Sequence, residues 1–159
     1  MFLSSEAAAD LARRELAAQS TPGDPVTGNW GSAECGDPVL VHDLRKAPSY
    51  WLVPVISQGA VAGAIRVMGS GEVAAVERFR HPPQVVTGLD ASQARQRAAE
   101  RIASDEVLGE PRFVHDGPPG REAWLVEVLK ANRPVRWIFL NASGAYERPA
   151  GTFLNAEKE

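Results

Sequence analysis

Hydrophobic and polar positions alternate with two different periods along this chain, and the change of period occurs twice. Ala8, Leu11, Ala12 and Leu16 fall on one side of a helical pattern opening at Leu3-Ser4-Ser5-Glu6. Ala94, Ala98 and Ile102 do the same after Leu89-Asp90-Ala91-Ser92. Ser4 and Asp90 suit the N-cap, where a short side-chain oxygen accepts from first-turn amides. Each helical stretch gives way to period two, which predicts strands near 38–44, 50–57, 60–67 and 72–79, then near 110–116, 122–129, 134–141 and 145–148. Turns are expected at Ser57-Gln58-Gly59, Gly69-Ser70-Gly71, Lys130-Ala131-Asn132 and Ala142-Ser143-Gly144, where Gly or Asn supplies positive φ.

The two patterns are related. A shift of 73 residues lays Gly36-Asp37-Pro38-Val39-Leu40-Val41-His42-Asp43 on Gly109-Glu110-Pro111-Arg112-Phe113-Val114-His115-Asp116, and Trp51-Leu52-Val53-Pro54-Val55 on Trp124-Leu125-Val126-Glu127-Val128. Between 36–73 and 109–146, 12 of 38 positions are identical, against about two or three by chance. The helices correspond at a different shift, because Ser20 to Ala33 adds a Gly-, Pro- and Thr-rich loop to the first half. The expected fold is therefore α+β: two tandem copies of a helix followed by a 3–4-stranded antiparallel β-meander. The copies span 1–80 and 84–149, with a tail at 150–159, and Pro82-Pro83 marks the joint.

With that pattern assembled, the second copy resembles a PepSY-type domain, a small module of protease propeptides and bacterial cell-envelope proteins. The matching residues are Leu89-Asp90 before a helix carrying Ala94 and Ala98, then Trp124-Leu125-Val126-Glu127-Val128, then Ile138-Phe139-Leu140-Asn141-Ala142-Ser143-Gly144-Ala145-Tyr146. The first copy keeps Trp51, Val53, Val55 and Gly71-Glu72-Val73 but has Met68-Gly69 where Asn141-Ala142 stand. The resemblance implies a non-catalytic domain that contacts a peptidase or a peptide, and it carries over no catalytic residue.

Composition narrows the function classes. At 159 residues and 44% apolar, the chain can bury about 70% of its unfolded surface without a metal or disulfide. A formal charge of −3 with acids and bases interspersed argues against nucleic acid or an anionic membrane as partner. No apolar run reaches the roughly 18 residues of a membrane span. The N-terminus lacks the basic and apolar regions of a signal peptide, so the expected compartment is the cytoplasm, or outside it if an export segment was removed. Cys35 is the single cysteine, expected to be inert rather than nucleophilic.

Candidate chemistry is sparse. His42-Asp43 and His115-Asp116 could be metal ligands, but only His81 remains to join them. They read better as strand-end turns, with Asp accepting backbone amides and His capping a loop. No nucleophile elbow, phosphate loop, zinc or calcium signature is present. No enzyme activity, cofactor or metal is expected. Trp51 and Trp124 share strand faces with Val53, Val55, Val126 and Val128, a core position. The candidate contact face is Val135, Trp137 and Phe139, with Leu125 and Leu129 on the neighbouring strand. Either it packs inside the monomer, against Leu52 and Ile56 or under Phe153-Leu154, or it meets a protein, a peptide or a second copy. The favoured function is a protein- or peptide-binding regulatory module. The alternative is a small-molecule-binding or weakly catalytic domain with a cavity between helix and sheet.

Overall fold

Two helices and ten strands account for the regular structure of this computed structural model, which describes residues 1–19 and 30–153. The chain divides into two compact units, Met1–Val41 with Pro48–Val86, and His42–Ala47 with Thr87–Glu159. The loop expected from Ser20 lies outside the described residues as far as 29, and so do tail residues 154–159.

In the first unit, α1 (Ser5–Gln19) precedes β1 (Glu34–Cys35), β2 (Val39–His42, its last residue counted with the second unit), β3 (Pro48–Ser57), β4 (Ala60–Met68) and β5 (Val73–Arg78). Ser4 Oγ accepts from Ala7 N at 3.2 Å and caps the helix. Ala8, Ala12 and Leu16 bury one helical stripe against Val53, Val55, Ile65 and Val67. The Trp51 indole N–H donates to Leu3 O at 2.9 Å, tying the sheet to the segment that enters the helix.

The second unit runs α2 (Ala91–Ala99), β6 (Val107–Leu108), β7 (Arg112–His115), β8 (Glu122–Lys130), β9 (Arg133–Asn141) and β10 (Gly144–Pro149). Asp90 and Gln93 form a capping box at the start of α2. Leu89, Ala94 and Ala98 pack on Val126, Val128, Ile138 and Leu140. The Trp124 indole donates to Leu89 O at 2.7 Å. A second apolar cluster is made of Leu44, Val114, Ala123, Leu125, Trp137 and Phe139.

The expected pair of consecutive helix-plus-meander copies is not what the chain builds. Strand occupies 43% and helix 17% of the described residues, and strand pairing is mixed, because His42 pairs in parallel with Val114 within an otherwise mainly antiparallel α+β structure. Residues 42–47 of the first half belong to the second unit, so the units are not consecutive segments. Each unit also carries a short strand that period-two reading missed. Gly36-Asp37-Pro38 and Gly109-Glu110-Pro111 interrupt what would be one strand, since proline has no N–H for the ladder. The piece before each break, β1 or β6, still pairs with the long strand beside it. Two residues are too short for any periodicity to register.

Local features at the 73-residue spacing do coincide in three dimensions. Trp51 lies opposite Val67 and Trp124 opposite Leu140. Gly36 N donates to Pro54 O and Gly109 N to Glu127 O, both at 2.8 Å. The hairpin turns place Gln58-Gly59 and Ala131-Asn132 at positive φ, 52° and 77° then 51° and 63°, the geometry of a twist-matched two-residue loop.

On β10, Ala150 N donates to Val135 O beyond the last ladder pair, Pro149 with Arg136. Bonded and non-bonded pairs alternate in an antiparallel ladder, so Pro149 stands where a backbone N–H would point away from β9.

Trp124→Ala is expected to lower unfolding stability by about 3–5 kcal/mol, and Trp124→Phe by about 1 kcal/mol through the lost bond to Leu89 O. Urea denaturation followed by far-UV circular dichroism measures both.

Candidate functional site

The five residues expected to form a contact face occupy different environments. Leu125, Trp137 and Phe139 are 3%, 5% and 0% exposed, inside the second apolar cluster of their own unit. Leu44 and the half-buried Phe153 cover them. Phe153 meets Trp137 edge-on at 5.8 Å and 81°. Tyr146 stacks on Phe139 at 4.8 Å and 8°. Leu129 is half-buried, and Val135 alone of the five is exposed. Phe153 is thus part of the cover expected from the tail; Leu154 lies outside the described residues. Leu44 was not foreseen, because nothing in a six-residue turn marks it as a lid on strands 80 residues further on.

The two His-Asp pairs also differ from one another. Asp43 does cap a turn: its Oδ1 accepts from Arg45 N and Ala47 N, each at 2.9 Å. Asp116 is instead fully buried and held by side chains. Arg148 donates to both carboxylate oxygens at 2.7 Å, and Tyr146 donates its hydroxyl at 2.5 Å. Asp116 N donates to Arg121 O, closing the turn that follows β7. Beside it, His115 Nδ1 lies 2.9 Å from Gly117 O. Burial pushes the Asp116 carboxyl up, but the hydrogen bonds and the charges of Arg148 and Arg121 outweigh it and hold it below the usual range. Burial and the bond to Asp116 push the Tyr146 phenol up to about 12. A bidentate arginine satisfies both carboxylate oxygens, which makes this a structural clasp joining β10 to the 116–121 turn. Sequence reading missed it because Tyr146 and Arg148 lie about 30 residues from Asp116.

Cys35 is half-buried, and burial pushes its thiol up despite the nearby charge of Arg13. A thiol held protonated is a poor nucleophile. Among the described residues, no three His, Cys, Asp or Glu side chains cluster as metal ligands would. No described helix is long and apolar enough to cross a membrane.

One concavity with backbone, apolar and cationic groups is the open groove between α2 and β6. Ser92, Arg95, Gln96, Ala99, Ile102, Glu106, Val107 and Leu108 line it. Helix and strand run in opposite directions, so Ile102 and Glu106 stand at one end and Arg95 at the other, beside Gly109. Val107 is 62% exposed. The Gly109–Glu127 bond continues the ladder in which Val107 lies opposite Leu129, so alternation turns the N–H and C=O of Leu108 away from β8. Arg95 reaches Gly109 O and Glu110 Oε1 only at 3.4 Å, and the carboxylate of that pair is almost wholly exposed. At the other end, Glu106 bonds Arg136, and that bond holds its carboxyl below the usual range.

A cleft occupies the same place in the first unit, between α1 and β1, lined by Arg13, Leu16, Ala33, Glu34 and Cys35 among others. At the 73-residue spacing, Glu34 and Cys35 correspond to Val107 and Leu108. The rim is therefore charged in one unit and apolar in the other.

No family model, no curated protein and no solved structure matches this chain.

Asp116→Ala is expected to destabilise the chain by about 3–5 kcal/mol, since it strands a largely buried guanidinium. The depressed Asp116 carboxyl makes its contribution fully present above its unfolded value, about 3.9, and lost as pH falls through the lower folded value. Urea midpoints recorded from pH 6 down to pH 2 should therefore fall more steeply for wild type than for Asp116→Ala.

Proposed function

We propose that this chain is a non-catalytic binding module whose second unit holds an extended segment of a partner polypeptide in the α2–β6 groove. The observation that carries the reading is the coincidence, along one groove, of outward main-chain groups at Leu108, an exposed apolar rim at Val107 and a weakly engaged cation at Arg95. An added strand takes affinity from main-chain hydrogen bonds and specificity from the side chains beside it. The favoured segment places apolar residues against Ile102 and Val107 and a carboxylate at Arg95, where the long contact to Glu110 is easily exchanged. Glu106 does not oppose it, being neutralised by Arg136. The resemblance of residues 89–146 to PepSY-type modules, with their association with peptidases, belongs to the same proposal.

The small-molecule alternative has less support, because the helix–sheet contact where such a cavity would lie is closed by alanines. Ala8, Ala12, Ala94 and Ala98 are all 0% exposed.

Selection of random peptides displayed on phage, using the full chain as bait, tests the proposal. The expected result is a set of extended apolar peptides carrying a carboxylate. Their binding should weaken about tenfold, or 1.4 kcal/mol, in Arg95→Glu, and similarly in Val107→Asp, while Val135→Asp leaves it unchanged. Selected peptides that bind both groove variants as tightly as wild type would refute it.

A further inference from the structure

The last described residues of the second unit form a short strap after β10. After β10, Gly151 takes φ 80° and turns the chain back. Hydrogen bonds in the strap include Ala150 N to Val135 O at 3.3 Å, Thr152 N to Pro149 O at 3.2 Å, and Arg148 Nε to Thr152 O at 3.1 Å. None of these three is shorter than 3.1 Å, against a usual N–H···O distance of about 2.9–3.0 Å. Its one large apolar side chain, Phe153, is only half-buried, yet it closes over Trp137. The guanidinium of Arg45 lies 4.7 Å from the centre of the Phe153 ring.

Beneath it, Leu44, Leu125, Trp137 and Phe139 form a cluster too apolar to stand bare in water. The seat suits an aromatic ring. An indole meets the ring edge-to-face and a guanidinium lies over its π-surface. The root of the strap is much firmer than its tip, since Arg148 is locked to buried Asp116.

We propose that Phe153 is a displaceable plug, and that the seat over Trp137 is a docking site for a partner segment presenting an aromatic side chain in its place. The occupant is inferred from the chain's own residue in the seat, and the site is separate from the α2–β6 groove. A tethered plug competes at an effective concentration in the millimolar range. An outside segment must outcompete it, so weakening the plug raises affinity.

The test uses the full chain and an N-acetylated peptide with the sequence Arg148–Phe153, followed by calorimetry and by the NMR signal of the Trp137 indole. Phe153→Ala is expected to bind this peptide at least about tenfold more tightly than wild type, shifting the Trp137 signal. Adding Arg45→Ala to Phe153→Ala, which takes the guanidinium out of the seat, should weaken binding of the same peptide. The same peptide with alanine at its final position should not bind. Circular dichroism confirms that both variants are folded. The proposal is overturned by absence of saturable binding to Phe153→Ala at millimolar peptide, by equal affinity for wild type and Phe153→Ala, or by shifts confined to residues 92–108. A wild-type dimer that Phe153→Ala dissolves would place the plug in a second copy and also overturn it.

Discussion

Four alanines set the geometry on which each unit depends. Ala8 and Ala12 on α1, and Ala94 and Ala98 on α2, are fully buried, and their methyl groups let each helix lie close to its sheet. Close approach brings the segment entering each helix within reach of the tryptophan in the long strand, whose indole proton it accepts. A larger residue at any of these four positions would overpack the contact and draw the indole from its acceptor. The valines and isoleucines of the long strands add hydrophobic stabilisation, about 1.5–3 kcal/mol for each fully buried side chain. The alanines decide where that burial happens.

The second unit has an additional constraint. Its sheet carries a helix on one face, and its other face is closed by borrowed pieces: a turn from earlier in the chain bringing Leu44, and the strap bringing Phe153. Both are small, and both adjoin charged groups. Lys46 pairs with Glu127 at 3.0 Å, Arg45 lies over Phe153, and Arg148 links Asp116 to the strap. One face is thus closed by a regular element and the other by irregular chain pinned electrostatically.

What could be read from the sequence follows from the range of each interaction. Helix starts were legible because caps act over three residues, as Ser4 and the Asp90–Gln93 box do. Eight strands fell near their expected places because alternation is local, and the turns at Gln58-Gly59 and Asn132 were marked by residues that tolerate positive φ. The two-residue strands β1 and β6 were not legible, because only their pairing with β3 and β8 defines them. The 73-residue register located the tryptophans and encouraged a picture of consecutive identical copies. Residues 42–47 defeat it by joining the other unit, a choice made by Leu44 finding an apolar face far along the chain. For the candidate site, period two put Trp137 and Phe139 on one face with Leu125 correctly, but it cannot reveal what covers that face. The α2–β6 groove escaped notice because it depends on the Gly109 break and on a strand too short to detect.

The proline that ends β10 has a consequence beyond this fold. A sheet rim is a template: each outward N–H and C=O can recruit the next strand, and a structure with strand in 43% of its described residues carries that hazard wherever a rim is open. At Pro149 the outward position holds a pyrrolidine ring instead of a donor. A strand arriving from another molecule finds no proton there and a ring in its path. Addition of a strand at this end of the rim therefore loses one ladder bond to a covalent ring, and the outward amides left on β10 are those of Ala145 and Glu147.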